Sequence, residues 1–218
     1  CIIMHAEHLE ACQGVGPHTI SVPRVRRADD IDPDVFDNGI SDETFAKIVA
    51  CLRIAVPYTG MIVSTRESAE SRKKVLELGI SQISGGSRTS VGGYVEPEKE
   101  EDNSAQFDVN DNRSLDEVVC WLLKMGYIPS FCTACYRAGR TGDRFMSLLK
   151  SKQIVNCCQP NALLTLQEYL QDYAGEETKA EGEKVIKEQL SVISNEKVKE
   201  KTIEYLQKIK EGQRDFRF

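Results

Sequence analysis

The sequence predicts an α/β chain in which parallel strands alternate with helices, followed by a mostly α-helical second part. Three observations carry this prediction. Short apolar runs alternate with helical patterns through residues 1–95, a polar acidic stretch without periodicity occupies 96–113, and apolar residues recur at helical spacing through 114–218. The 218 residues suffice for a sizeable core, and 40% hydrophobic with 28% charged residues excludes wholesale disorder.

In chain order, Cys1–Met4, Thr19–Pro23, Gly60–Ser64 and Ile80–Ser84 read as strands. Between the second and third, Ser41-Asp42-Glu43 opens a helix with Phe45, Ile48, Val49 and Leu52 on one face. Ser64-Thr65-Arg66-Glu67 reads as a capping box for another, with Val75, Leu76 and Leu78 apolar and Gly79 as its stop. Such alternation predicts βαβ units with parallel pairing. Four strands make either half of an eight-stranded barrel or a small open sheet, and periodicity does not separate the two. Residues 96–113 read as a linker loop. Ser114-Leu115-Asp116-Glu117 is a second capping box, before a helix with Val118, Val119, Trp121, Leu122 and Leu123 that stops at Gly126. Further helices are expected from about Asp143 and from Asn161 to Tyr173. The tail from Ala174 carries apolar stripes (Ile186, Leu190, Ile193; Val198, Ile203, Leu206, Ile209) that predict a helical pair broken near Ser194-Asn195, its charges forming a solvated face.

Composition also excludes functions. A net charge of −6 argues against a nucleic-acid partner, which calls for a basic face. No apolar run approaches the roughly 18–20 residues of a membrane span. Cys1 stands in an apolar run with no initiator Met and no signal-type segment, so an internal start is expected, with sequence missing upstream. Eight cysteines (Cys1, Cys12, Cys51, Cys120, Cys132, Cys135, Cys157, Cys158) are too scattered for a disulfide framework, and they favour a reduced cytoplasmic protein with metal-binding thiols.

The densest chemistry is Cys132-x2-Cys135, followed after 22 residues by Cys158, with Cys157 beside it. Thiolates are natural ligands for zinc and for iron–sulfur clusters, and a two-residue gap lets both thiols reach one centre. A redox CxxC is the alternative, but it calls for a strand-to-helix setting. A closed zinc site needs four ligands. Neighbouring side chains diverge, so Cys157 and Cys158 supply one between them, and His5, His8 and His18 all lie at the other end of the chain. Three thiolates suit a [4Fe–4S] cluster with one iron open. Arg137 and Arg140 flank the pair, where they either solvate the surface or offset the charge of an anionic thiolate cluster.

A second group follows the strands. In α/β barrels the C-terminal strand edge hosts chemistry. Ser64 reads as an N-cap, yet Arg66 in a first helical turn would oppose the helix dipole by about 0.3–1 kcal/mol unless an anion sat there. Ser64, Arg66 and backbone N–H groups would then converge on a carboxylate. Gly85-Gly86-Ser87-Arg88-Thr89 after the next strand allows close backbone approach to a cofactor, although it matches no phosphate-loop spacing. His5 and His8 are expected at the same edge after the first strand, where a metal role and a hydrogen-bonded structural role both fit.

On these residues the chain resembles the C-terminal part of the HydG family, radical-SAM tyrosine lyases that mature [FeFe]-hydrogenase. The matching stretches are His5–Leu9, Gly16–Arg24, Ser64–Glu67, Gln82–Thr89, Gly126–Arg137, Gly139–Gly142 and Pro160–Leu164. The resemblance implies the later half of a radical-SAM (β/α)8 TIM-type barrel over 1–95 and a helical iron–sulfur domain over 114–218. It implies that a radical from S-adenosylmethionine cleaves tyrosine to p-cresol and dehydroglycine, and that CO and cyanide then form on iron at a second [4Fe–4S] cluster. By position, Cys132, Cys135 and Cys158 would bind that cluster, His8 (or His5 close by) its labile iron, and Ser64 with Arg66 the tyrosine carboxylate. Ser87 and Arg88 would lie near S-adenosylmethionine. Other hydrogenase maturation proteins are the implied partners, with neither nucleic acid nor membrane. Two positions depart from the pattern: Cys157 adjoins the third ligand, and Gly85 stands where the family often has Ala. The CX3CX2C signature of the first cluster is absent from these residues, so it is expected upstream and the chain is expected to be inactive alone. The related thiamine-pathway lyase (2-iminoacetate synthase) shares the barrel but lacks the CX2CX22C region, and a non-catalytic metal-binding scaffold is the remaining alternative.

Overall fold

The computed structural model describes residues 1–28, 31–36, 39–90, 92–95 and 107–218. The chain divides into two compact units, Cys1–Ser114 and Leu115–Phe218.

The first unit is α/β. Its opening differs from the expectation: Cys1–Met4 is not a strand, because Ile2–Gln13 forms helix α1. A four-residue apolar run does not distinguish strand from helix. Here the following Ala6, Glu7, Leu9, Glu10, Ala11 and Gln13 are helix formers, and Gly14 ends the helix in the left-handed region at φ 73°. Strand β1 (Thr19–Ser21), helix α2 (Asp42–Ala55), strand β2 (Gly60–Val63), helix α3 (Ala69–Glu77) and strand β3 (Gln82–Ile83) then alternate as expected. The three strands form a parallel sheet in the order β1-β2-β3, with Thr19 opposite Gly60 and Ile62 opposite Gln82.

Helix α2 starts where the sequence places it. Ser41 caps it by accepting the Thr44 N–H at 3.2 Å, and Phe45, Val49 and Leu52 are buried. Helix α3 does not start at Ser64. Ser68 is its N-cap, accepting from the Ser71 N–H at 3.2 Å, and residues 64–67 form a turn before it. The capping-box reading fails because Glu67 is buried and committed elsewhere, to two arginines.

The expected linker falls largely on 96–106, outside the described residues. Its end, 107–113, packs into the first unit. The N–H groups of Asn110 and Asp111 donate to the Thr65 carbonyl at 3.0 and 3.1 Å, and Asp111 is buried against Arg72.

The second unit is helical: α4 (Leu115–Lys124), the single turn α5 (Ala134–Arg137), α6 (Gly142–Lys150), α7 (Val155–Asp172), α8 (Glu176–Val192) and α9 (Glu196–Lys210). Its core is built from Val119, Leu123, Leu163, Leu164, Leu166, Leu170, Val185, Ile186, Leu206 and Ile209. The break between α8 and α9 lies where expected, with Asn195 capping α9. Helices α7 and α8 approach closely at Gly182, where a Cβ would lie 2.5 Å from Leu170 Cδ1. Helix α7 begins six residues before the expected Asn161, with Pro160 inside it. Proline suggests a helix start, but the Cys158 N–H already bonds to the Ile154 carbonyl at 2.8 Å, so Pro160 merely omits one bond of a helix under way. Among the described residues no helix is long and apolar enough to cross a membrane.

Candidate cysteine centre and strand-edge site

In the second unit, Cys132 and Cys135 flank the N-terminus of α5, and Cys158 lies in the first turn of α7. The loop bearing Cys132 is fastened to α7 from both sides of the peptide chain. Phe131 stacks on Tyr169 with centroids 5.0 Å apart, and its N–H donates to Thr165 Oγ1 at 3.3 Å. Tyr169 is itself fixed by a 3.1 Å hydrogen bond to Asp116; burial and the Asp116 charge push its phenol well above the ordinary range. The Ala134 N–H points at Cys132 Sγ, 3.4 Å away, and the Arg140 N–H donates to the Cys135 carbonyl at 2.8 Å.

The four thiols share one electrostatic neighbourhood. Burial, followed by the neighbouring Cys135, Cys132 and Cys157 in that order, pushes the Cys158 thiol up to about 11 against the opposing charge of Arg140. The Arg140 guanidinium settles which of the adjacent cysteines it holds: Nη1 lies 3.3 Å from Cys157 Sγ. All eight cysteines are free thiols. Among the described residues, no three His, Cys, Asp or Glu side chains converge tightly enough to chelate a single metal ion. A cluster asks for something different, since its thiolates bind separate irons and stand wider apart than ligands of one ion. Three thiolates are a donor set whose chemistry suits a [4Fe–4S] cluster. Arg140 Nε adds to it, being buried with no hydrogen-bond partner among the described residues, a donor left for an acceptor such as a cluster sulfide.

In the first unit, parallel pairing puts the carboxyl ends of β1, β2 and β3 on one edge. Ser64 and Arg66 follow β2, and Ser87 and Arg88 follow β3, so both expected pairs lie there. Ser64 Oγ accepts the Arg66 N–H at 3.4 Å, and the Arg66 guanidinium sits 3.7 Å from the Phe107 ring centroid. Asn110 Nδ2 donates to the Arg66 carbonyl at 2.8 Å. The helix-dipole argument for Arg66 does not hold, because Arg66 precedes the N-cap of α3 by two residues. The Arg88 N–H donates to Tyr94 Oη at 3.1 Å. His5 and His8 do not follow a strand. Both lie on α1, where Cys12 Sγ stands 3.6 Å from His8 Nδ1.

The sequence reading missed the supports beneath this edge. Glu67 is held by Arg24, whose Nε reaches both carboxylate oxygens at 3.1 Å, and by Arg26 at 2.6 Å; Arg24 also pairs with Asp42 at 2.7 Å. Burial lowers the Arg24 guanidinium, but Glu67 and Asp42 outweigh it and hold it above its ordinary value. Arg72, fully buried, pairs with Asp111 and with the Ser84 carbonyl, and Arg113 grips Asp111 at 2.8 and 2.6 Å. Burial pulls the Asp111 carboxyl upward, but the Arg113 hydrogen bond and the Arg72 charge prevail and hold it below the usual carboxylate range. The available signal was a Glu inside a turn facing the Arg24–Arg27 cluster.

A family model described as the Biotin and Thiamin Synthesis associated domain matches residues 21–128. A crystal structure of HydG, "a maturase of the [FeFe]-hydrogenase", superposes with a TM-score of 0.93 at 54% identity, over 98% of this chain and 46% of that one. Nearly the whole of this chain is thus similar to part of HydG. The HydG of Carboxydothermus hydrogenoformans matches at 39% identity and a TM-score of 0.69, over 94% of this chain and 43% of that one. The 2-iminoacetate synthase of Escherichia coli (strain K12) is 31% identical over 148 residues, 65% of this chain and 37% of that protein. The chain thus spans less than half the length of these relatives. The likeness to HydG takes in almost all of it, cysteine centre included, while the 2-iminoacetate synthase match leaves a third of the chain uncovered.

Proposed function

We propose that these residues are the later half of a radical-SAM carbon–carbon lyase that cleaves tyrosine and matures [FeFe]-hydrogenase in the cytoplasm. The observation that carries this is the trio Cys132, Cys135 and Cys158 in one electrostatic neighbourhood beside Arg140, within a chain 54% identical to a HydG. Residues 1–95 are read as the second half of the barrel, and the S-adenosylmethionine-cleaving cluster as borne by sequence outside these residues.

Cys132, Cys135 and Cys158 would hold the second [4Fe–4S] cluster, with Cys157 turned instead to Arg140. When bound, that cluster with its labile iron supplies the metal at which the tyrosine-derived fragment becomes CO and cyanide. His8 would offer Nε2 to the labile iron, its Nδ1 side being occupied by Cys12. At the strand edge, Arg66 would bind the tyrosine carboxylate with Ser64 Oγ beside it, the stack on Phe107 keeping the guanidinium fork in one plane. Ser87 and Arg88 would border S-adenosylmethionine. Other hydrogenase maturation proteins would receive the product.

Anaerobic reconstitution with iron and sulfide tests the cysteine centre. About four irons per chain with iron–sulfur absorption are expected, lost in Cys132→Ser and Cys158→Ser but retained in Cys157→Ser. Tight zinc binding without iron–sulfur absorption would overturn the reading.

A further inference from the structure

We propose that Arg140 is a positioning residue for the second cluster, one that raises its reduction potential by holding a fixed positive charge against the cysteine site. The inference rests on the reading of Cys132, Cys135 and Cys158 as cluster ligands.

Two arginines follow Cys135, and the structure gives them different work. Arg137 is half-exposed and forms a bidentate pair with Asp215, its Nη2 at 2.8 Å from Oδ2. Arg140 turns the other way. Its backbone N–H is tied to the Cys135 carbonyl, Nη1 meets Cys157 Sγ at 3.3 Å, and Nη2 donates to the Phe218 carbonyl at 2.7 Å. Asn161 braces the same residue, accepting the Phe218 N–H at 2.8 Å. The guanidinium is therefore clamped between the thiols and the C-terminal segment, and its buried Nε still has no partner among the described residues.

Guanidinium stays protonated under all working conditions. A cluster that accepts one electron becomes more negative by one charge, so an adjacent fixed cation stabilises the reduced form more than the oxidised one. N–H donors to cluster or ligand sulfur act in the same direction. Successive helical residues point about 100° apart. By engaging Cys157, Arg140 therefore also leaves Cys158 as the thiol of the pair that faces iron.

The test is a one-electron titration of the reconstituted chain with dithionite, followed by electron paramagnetic resonance. Arg140→Gln is expected to take up iron normally, with its midpoint displaced to more negative potential and an altered signal. Arg140→Lys should fall between this variant and the unaltered chain, and Arg137→Gln should leave the midpoint in place. An unchanged midpoint in Arg140→Gln would overturn the proposal, as would an equal displacement in Arg137→Gln. If Arg140→Gln fails to hold iron, recovery of uptake in Arg140→Lys supports a required positive charge, whereas failure of both assigns Arg140 to folding and refutes the inference. An unaltered chain that binds no cluster would remove the ligand reading itself, and this inference with it.

Discussion

The Arg66 guanidinium lies over the Phe107 ring, 3.7 Å from its centroid, and so joins the end of β2 to a segment more than forty residues downstream. Stacking of this kind fixes the plane of the guanidinium while leaving its N–H edge free for a carboxylate. In the enzyme with a complete barrel, Arg66→Ala is expected to raise the tyrosine KM at least tenfold with both clusters intact. Phe107→Leu should act in the same direction by a smaller factor. Tyrosine affinity equal to that of the unaltered enzyme in Arg66→Ala would refute the carboxylate assignment.

Asp111 secures the same region from below. Replacing it with Asn strips a buried Arg72 of its charged partner, which costs about 3–5 kcal/mol. The carboxyl is held below the usual carboxylate range, so its contribution is complete above the ordinary value near ~4 and disappears as pH falls through the lower folded value. Urea unfolding from pH 7 to pH 3 should show the unaltered chain losing stability on acidification more steeply than Asp111→Asn.

In the metal-free chain, Cys158 should be a slow thiol. Its pKa of about 11 leaves little thiolate at pH 8, and thiolate is the reactive form. Alkylation of Cys158 by iodoacetamide, followed by peptide mass spectrometry, is expected to accelerate up to about pH 11. A rate that levels off by pH 9 would contradict the desolvation described for this sulfur.

His8→Gln is expected to separate two stages of the chemistry. In the complete enzyme p-cresol should still form, whereas the labile iron, counted as the iron in excess of the clusters, should be lost. His5→Gln should lose neither; the opposite pattern would move the ligand to His5.

The legible parts of the molecule are those in which a local signal has one physical outcome. Ser41 before an apolar stripe gave α2 its start, and Gly79 and Gly126 ended helices. The misreadings share a cause. Cys1–Met4 was too short a run to declare its period, and Ser64-Thr-Arg-Glu67 imitated a capping box while Glu67 was needed by Arg24 and Arg26, 43 and 41 residues away in sequence. Long-range ion pairs of this sort leave no periodic trace. Neither does the clamp on Arg140, whose partners come from α7 and the last residue of the chain.

That last residue has a practical meaning for anyone handling the protein. Phe218 is bonded through both its N–H and its carbonyl, to Asn161 and Arg140, one side chain away from Cys157. An oligohistidine segment placed beside it would bring competing imidazoles to the place where iron is to be loaded.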